Sequence, residues 1–338
     1  MIFRFSMVAV LAVAGVEVLG KTPVPPSPRA ESLEFDPKTQ DWSAAAEAEP
    51  GTEDGDLDLA RRWIALEDYK TGERIVKKWI KQYGESAERY PEALYLRGSV
   101  HLGQGEYRAA DDDFEKLLDE YPGSPFAEQA LSARFRIAEQ YLAGKRRKAL
   151  GGLLRVKDRD AGVEIMDDMS MNYRDTSLSE LAQKAKADYY FSRGEFELAE
   201  DEYAAFAREF PRSRYHPQAL FQSAQAALAS FPGVQFDDAG LVEAQERFNQ
   251  FRQSYPQKSE EMQVPTMLDE IASARADKTY EIARFYDRTG KLGAARYYYR
   301  ATVKRWPETP AAAQAEARLN EIGEPLEEDA VTDESAAN

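Results

Sequence analysis

An aromatic residue followed by proline recurs along this chain, and the repetition limits the possible folds more than any other sequence feature. Clear copies begin at Tyr121, Phe210, Tyr255 and Trp306, and degenerate copies begin at Tyr83 and Tyr173. Proline cannot continue a helix, so each aromatic is predicted to be the last core residue of a helix. A Ser or Thr that usually follows is predicted to cap the next helix. Copies recur roughly every 37 to 52 residues, a spacing that suits helix pairs with variable insertions.

Glycines and apolar residues inside these intervals are also placed as a helix pair requires. Gly105, Gly194 and Gly290 each stand between polar residues at the expected turn between two paired helices. Glycine supplies the left-handed conformation that ends a helix there. In the second copy, Gly98 is predicted to let the paired helices approach closely, while Phe114 enters the core between them.

These features resemble the tetratricopeptide repeat, a helix–turn–helix unit. We count six units, at about 57–84, 92–122, 127–174, 179–211, 215–256 and 267–307, followed by a capping helix at about Ala311–Glu321. Helix pairs that each bury one face against the next stack in series. The predicted fold class is therefore all-α, a right-handed α-solenoid of about six tetratricopeptide-like helix pairs with a concave inner surface.

Composition excludes several classes of function. The 338 residues include no Cys and two His, which removes disulfides and thiolate metal sites. His101 and His216 lie far apart in sequence, so no metal site is expected. A net charge of -16 argues against a nucleic-acid partner. No nucleophile elbow, phosphate loop or zinc motif occurs, so we expect no enzyme, no cofactor and no small-molecule substrate.

The two ends differ from the middle of the chain. Residues 1–20 have one early cation and an apolar stretch too short to span a membrane, which predicts a secretory signal peptide; an uncleaved anchor is the alternative. Residues 21–56 are rich in proline and acids and are predicted to be a disordered linker. The repeat domain is predicted at 57–322, and an acidic, disordered tail at 323–338.

The last two units resemble a more specific family. Ile282-Ala283-Arg284-Phe285-Tyr286, with Arg288, Gly290, Ala294-Ala295 and Tyr297–Pro307, is similar to the final repeat of BamD-like (YfiO-type) proteins. Ala244, Phe248, Phe251 and Tyr255-Pro256 resemble the preceding repeat of that family, including its lengthened connection at Phe231–Leu241. The resemblance extends over about residues 90–320.

This resemblance implies a non-enzymatic periplasmic scaffold for outer-membrane β-barrel assembly. Its implied partners are unfolded barrel precursors at the N-terminal units and the barrel-forming subunit at the C-terminal units. The family is tethered by a lipidated cysteine, yet Val16 stands where that cysteine is expected. Peripheral attachment at the outer membrane through partners, or through an uncleaved signal segment, is therefore expected. The alternatives are a cell-division or peptidoglycan coordinator and, in another class, a peptidoglycan-cleaving enzyme.

Two groups of residues are candidate partner contacts. The first combines cations with an aromatic around the family-like segment: Arg275, Tyr280, Arg284 and Arg288. The second is the basic insertion that contains Arg146, Arg147 and Lys148, which could contact anionic lipid or an acidic partner. A solvated loop is the alternative explanation for the second group.

Two further motifs leave alternatives open. Successive helical residues point about 100° apart, so at least one residue of Tyr297-Tyr298-Tyr299 should lie outside the core. It could contact a partner protein or cover a neighbouring repeat. Asp111-Asp112-Asp113 could hold a cation or could place negative charge near a helix N-terminus.

Overall fold

A computed structural model describes residues 33–36, 41–44, 49–149, 154–231, 233 and 238–323. The predicted signal peptide and residues 324–338 of the predicted tail lie outside these described residues. The helices of the described part are α1 (Glu53–Ala65), α2 (Tyr69–Tyr83), α3 (Tyr90–Gly103), α4 (Tyr107–Glu120), α5 (Ala127–Leu142), α6 (Arg159–Asn172), α7 (Ser177–Ser192), α8 (Phe196–Glu209), α9 (His216–Ser230), α10 (Ala239–Ser254), α11 (Pro256–Glu261), α12 (Val264–Arg288), α13 (Leu292–Arg305) and α14 (Pro310–Ile322).

Ten of these helices form five of the predicted pairs, namely α1/α2, α3/α4, α7/α8, α9/α10 and α12/α13, while α5 and α6 occupy the residues predicted for the third unit. The short helix α11 precedes the last pair, and α14 follows it as the predicted capping helix. The all-α repeat fold class is therefore confirmed. The chain divides into two compact units at Arg159, with α1–α5 in unit 1 and α6–α14 in unit 2.

Two short antiparallel hairpins accompany the helices and were not expected from the sequence. Strand β1 (Leu33–Asp36) pairs with β2 (Asp41–Ala44), and β3 (Arg146–Ala149) pairs with β4 (Leu154–Lys157). The first hairpin lies within residues 21–56, the segment predicted to be a disordered linker. The second hairpin occupies the predicted basic insertion between α5 and α6.

The first helix begins four residues earlier than predicted, at Glu53 instead of Leu57. Thr52 caps it by accepting a hydrogen bond from the backbone N–H of Gly55. Glu53, Asp54 and Asp56 then place negative charge in the first turn, where the helix dipole favours it. The acidic composition that suggested disorder thus contributes to the start of a helix.

One packing pattern recurs in α2, α4, α6, α8, α10 and α13. A small residue is followed four positions later by a larger one and three positions after that by another core residue, and all are buried. The six sets are Gly72/Val76/Trp79, Ala110/Phe114/Leu117, Gly162/Met166/Met169, Ala199/Tyr203/Phe206, Ala244/Phe248/Phe251 and Ala295/Tyr299/Thr302. The spacing places the three residues on one buried face of each helix.

The close approach predicted at Gly98 is present. A Cβ atom at Gly98 would lie 2.6 Å from a ring carbon of Phe114, which is fully buried. The absence of a side chain at Gly98 therefore lets the Phe114 ring pack directly against the backbone of α3.

The turns inside the pairs have the geometry that their glycines predict. Gly105, Gly194 and Gly290 have φ angles of 73°, 74° and 75°. In each turn the residue after the glycine donates its N–H to the carbonyl five positions earlier, as Glu106 does to His101. This bond is the six-to-one contact that closes a helix C-terminus.

The aromatic–proline motifs end their helices as predicted. Tyr121, Phe210, Tyr255 and Trp306 are all helix C-caps, with φ between -118° and -137° and ψ between 54° and 64°. Thr309 caps the next helix by accepting from the N–H of Ala312. The cap prediction is wrong for Ser124, because its hydroxyl accepts from the N–H of Phe126 before α5 begins.

The three aspartates of α4 act neither as a cation site nor as helix N-terminal charge. They lie in the second turn of α4, and two of them accept hydrogen bonds from cations on neighbouring helices. Asp111 accepts from Arg134 at 2.8 Å. Buried Asp113 accepts from Arg97 at 2.6 Å and lies 2.9 Å from the Nδ1 atom of His101.

Ion pairs also link the helices of unit 2. The ammonium group of Lys186 on α7 bonds to Asp167 on α6 and to Glu202 on α8. Burial lowers the pKa of Lys186, but hydrogen bonds from its ammonium group to these carboxylates outweigh the burial and raise that pKa overall. Arg247 on α10 bonds to Glu200 on α8 at 2.8 Å. The helix packing of this unit is therefore supported by polar contacts as well as by apolar burial.

We predict that Gly98→Ala lowers the free energy of unfolding by about 1–3 kcal/mol, because the new methyl group must displace the buried Phe114 ring. Urea unfolding of the purified chain measures the change. Gly123→Ala is the control, since a Cβ there would contact nothing within 4 Å. Equal loss of stability in the two variants would contradict the predicted close packing.

A second prediction concerns pH. The hydrogen bond to Asp113 raises the pKa of His101 above its usual value of 6.5, with burial acting in the opposite direction. Protonated His101 therefore stabilises the fold below about pH 6.5, and this contribution is lost as the pH rises through the folded pKa. We expect His101→Gln to cost more stability at pH 5.5 than at pH 8.5 in urea unfolding. A larger cost at pH 8.5 would refute the ion pair.

Candidate functional site

Four aromatic rings form a continuous chain across α12 and α13. Phe285 packs edge-on against Tyr286 with ring centroids 5.5 Å apart. Tyr286 stacks on Tyr298 at 5.5 Å with an interplanar angle of 8°. Tyr298 meets Tyr297 edge-on at 5.2 Å. We call Phe285, Tyr286, Tyr297 and Tyr298 the C-terminal aromatic surface.

Both ends of this chain of rings are open to solvent. Phe285 is 55% exposed and Tyr297 is 65% exposed, and Leu292, at the start of α13, is also exposed. Among the described residues, half of the six exposed large apolar side chains belong to this one helix pair. Exposed aromatic residues that touch one another are typical of protein contact sites.

The helices that carry this surface are strongly basic. Residues 284–305 contain seven Lys and Arg and one acid, Asp287, although the whole chain has a net charge of -16. Arg284, Arg288 and Lys291 are exposed, and in sequence they lie within a few residues of Phe285 and Tyr286. The surface therefore combines flat apolar rings with positive charge and suits an acidic partner that carries apolar side chains.

Arg275, predicted as a partner contact, is engaged within the fold. Its guanidinium group bonds to Asp238 at 3.3 Å and to the side chain of Gln245. It also lies 5.6 Å from the ring of Trp306. These contacts hold α12 to α10 and to the end of α13, so Arg275 has a structural role.

The other three residues of the first predicted group lie on α12 in different settings. Tyr280 is half-buried against Tyr299, with ring centroids 5.6 Å apart. Arg284 is exposed, bonds to Glu281 at 2.7 Å and lies 6.0 Å from the Tyr280 ring. Arg288 is exposed at the end of α12. Arg284 and Arg288 are therefore exposed, Tyr280 lies partly under Arg284, and their contact with a partner stays a prediction.

The second predicted group lies elsewhere, in unit 1. Arg146, Arg147 and Lys148 belong to strand β3, where the backbone partners of Arg147 and Lys148 are Val156 and Arg155 on β4. The basic residues thus form one strand of a hairpin, whereas the alternative explanation had placed them in a loop. They remain a predicted contact that is separate from the C-terminal aromatic surface.

The capping helix α14 is fixed against the last pair by one carboxylate. Asp287 accepts from Arg318 at 2.7 Å and from the hydroxyl of Tyr299 at 3.2 Å. The hydrogen bond from Arg318 lowers the pKa of Asp287. Burial, assisted by Asp287, raises the pKa of Tyr299 to about 12, so its hydroxyl stays protonated as a donor.

The two histidines, the residue type most often used in catalysis and metal binding, both contact other side chains within the fold. His101 bonds to Asp113 in unit 1, and His216 lies 2.6 Å from the hydroxyl of Tyr255 in unit 2. No group of three or more His, Asp or Glu in the described part of the chain could hold a metal ion. None of the described helices combines the length and the apolar character needed to cross a bilayer.

Sequence reasoning did not single out the exposed Phe285 and Leu292, and it left open which residue of the tyrosine run on α13 lies outside the core. The signal was present in Tyr297-Tyr298-Tyr299, since three consecutive helical residues cannot share one face. The structure buries Tyr299, half-buries Tyr298 and exposes Tyr297. In the comparable run Tyr189-Tyr190-Phe191, all three rings are half-buried, which agrees with the alternative that extra rings cover neighbouring repeats.

We predict that Arg275 and Arg284 differ in their effect on stability. Arg275→Gln should lower the free energy of unfolding by about 1–2 kcal/mol, because it removes bonds from a largely buried cation. Arg284→Gln should change it by less than about 0.5 kcal/mol, because Arg284 is exposed and its ion pair with Glu281 lies within one helix turn. Urea unfolding compares the two, and an equal effect would contradict these assignments.

Solved structures of helical-repeat proteins are similar to this chain at low identity. The C-terminal part of a tetratricopeptide-repeat protein from Cytophaga hutchinsonii is 10% identical, with a TM-score of 0.38, covering 79% of this chain and 88% of that chain. PilW, a type IV pilus biogenesis factor, is 15% identical, with a TM-score of 0.29, covering 79% and 99%. A tetratricopeptide protein of Thermus thermophilus is 17% identical, with a TM-score of 0.22, covering 80% and 98%. These TM-scores are too low to support a conclusion about function. No curated protein matches the chain.

Two family profiles match the sequence itself. A tetratricopeptide-repeat profile matches residues 92–124, which correspond to the pair α3/α4. The profile of the outer membrane lipoprotein family YfiO matches residues 152–337, more than half of the chain, and covers all the helices of unit 2. The chain therefore belongs to the YfiO family of outer membrane lipoproteins.

Proposed function

We propose that this protein is a BamD-like periplasmic scaffold that binds the barrel-forming subunit of the machinery for outer-membrane β-barrel assembly. Tetratricopeptide repeats serve protein–protein interaction in general, and the family match covers the unit that carries the C-terminal aromatic surface. The specific partner follows from the resemblance of residues 282–307 to the final repeat of BamD-like proteins.

The observation that carries the proposal is the exposed, basic character of this aromatic surface. Phe285 and Tyr297 expose large rings at the two ends of one continuous chain of aromatics, and contiguous exposed apolar surface is typical of contact sites. Arg284 and Arg288 add cations at the same helix end. Aromatic and Arg residues are the types that most often dominate binding energy at protein interfaces.

The scaffold is proposed to act without catalysis and without a cofactor. This agrees with the family match. It also agrees with the contacts of His101 and Lys186, whose side chains bond to carboxylates on neighbouring helices. Export to the periplasm is proposed from the apolar residues 1–20, and the outer membrane lipoprotein family is consistent with that location. Peripheral attachment at the outer membrane is proposed to occur through partners or through an uncleaved signal segment.

Binding of unfolded barrel precursors by the N-terminal helix pairs is the second part of the proposal. It rests on the family membership alone. The basic hairpin strand at Arg146, Arg147 and Lys148 is proposed as a separate contact with an acidic partner or with anionic lipid headgroups.

Co-purification from detergent-solubilised envelopes tests the proposal. We expect the wild-type chain to recover the barrel-forming subunit. The double variant Arg284→Glu, Tyr297→Ala should recover about tenfold less, because it reverses a cation and removes an exposed ring.

The matched control is Arg208→Glu, Leu198→Ala, which makes similar changes at exposed positions of α8. It should recover the subunit normally. A cell-wall synthase recovered in place of the barrel subunit would favour a peptidoglycan coordinator, and hydrolysis of purified sacculi would overturn the non-enzymatic assignment.

A further inference from the structure

A strongly basic and a strongly acidic segment of this chain are close neighbours in sequence. Residues 284–305 carry six more positive than negative charges, and residues 324–338 carry six acids and no base. The acidic segment also contains Leu326 and Val331. Its chemistry therefore complements a surface of exposed rings and cations.

The structure fixes where the acidic segment leaves the fold. The buried guanidinium group of Arg296 on α13 donates to the backbone carbonyls of Gly323 at 3.1 Å and Ile322 at 3.3 Å. Arg296 thus holds the last residues before the acidic segment beside α13. The next residue after Arg296 is Tyr297, the most exposed ring of the C-terminal aromatic surface.

We propose that residues 324–338 bind the C-terminal aromatic surface of the same chain. The acids contact the cations around Arg288 and Lys291, and the apolar residues cover the exposed rings. Fifteen residues reach up to about 50 Å when extended, whereas α13 is only about 20 Å long, so the segment reaches the whole surface from Gly323. A short tether of this kind gives an effective concentration of about a millimolar, which makes even weak binding substantial.

The bound segment would compete with any acidic partner for this surface. Its consequence for partner affinity rests on the proposed function, whereas binding of the segment itself does not. The proposed function and the binding of residues 324–338 can therefore be tested separately. Partner recovery tests the function, and a peptide experiment without any partner tests the inference.

The experiment measures fluorescence anisotropy of a labelled synthetic peptide with the sequence of residues 324–338. Two full-length chains are compared, the wild type and a neutral-tail chain with Glu324→Gln, Glu327→Gln, Glu328→Gln, Asp329→Asn, Asp333→Asn and Glu334→Gln. We expect the peptide to bind the neutral-tail chain at least tenfold more tightly, because the wild-type surface is already occupied.

Charge reversals in the neutral-tail chain locate the site. Arg288→Glu, Lys291→Glu should weaken peptide binding at least tenfold, whereas the matched pair Arg208→Glu, Arg212→Glu, exposed at the end of α8, should change it by less than threefold. Equal binding to the wild-type and neutral-tail chains, or equal loss in the two charge-reversed pairs, would overturn the inference. Absence of binding to the neutral-tail chain would overturn it as well.

Discussion

The fit between a small residue and a large buried side chain is the constraint on which the paired helices depend. In the pair α3/α4 the Phe114 ring occupies the space that a side chain at Gly98 would fill. Helices α2, α4, α6, α8, α10 and α13 each repeat the buried series of a small residue, a larger residue and a further core residue. The distance between the paired helices follows from this packing, and the left-handed glycine turns and the aromatic–proline ends allow the chain to reverse at the required positions.

Much of this fold is predictable from the sequence because its determinants are local. A helix end, a left-handed turn and a buried helix face each depend on residues within a few positions of one another. The two hairpins lack such a signal, since four-residue strands without a long alternating pattern resemble loops. The early start of α1 was missed because Glu53 and its acidic neighbours are typical both of disorder and of a helix N-terminus.

The candidate site was predictable only in part, because burial depends on contacts between distant residues. Arg275 looked like a free cation in the sequence, yet its partner Asp238 lies at the end of the lengthened connection before α10. The tyrosine run on α13 showed that one ring must face outwards, but only the packing of α12 and α14 determines that Tyr299 is buried and Tyr297 is exposed. That the last pair carries a partner-binding site stays a prediction, and the structure shows which of its side chains are exposed.

The same helix pair thus combines a buried tyrosine that holds the fold with exposed rings that are open for binding. Site-specific photo-cross-linking in intact cells tests this account most directly, with a benzoylphenylalanine placed at Tyr297 or at Met171. These side chains are 65% and 61% exposed, so solvent access is matched. The account predicts a discrete protein adduct from position 297 and none from position 171. Equal cross-linking at both positions, or none at position 297, would contradict it.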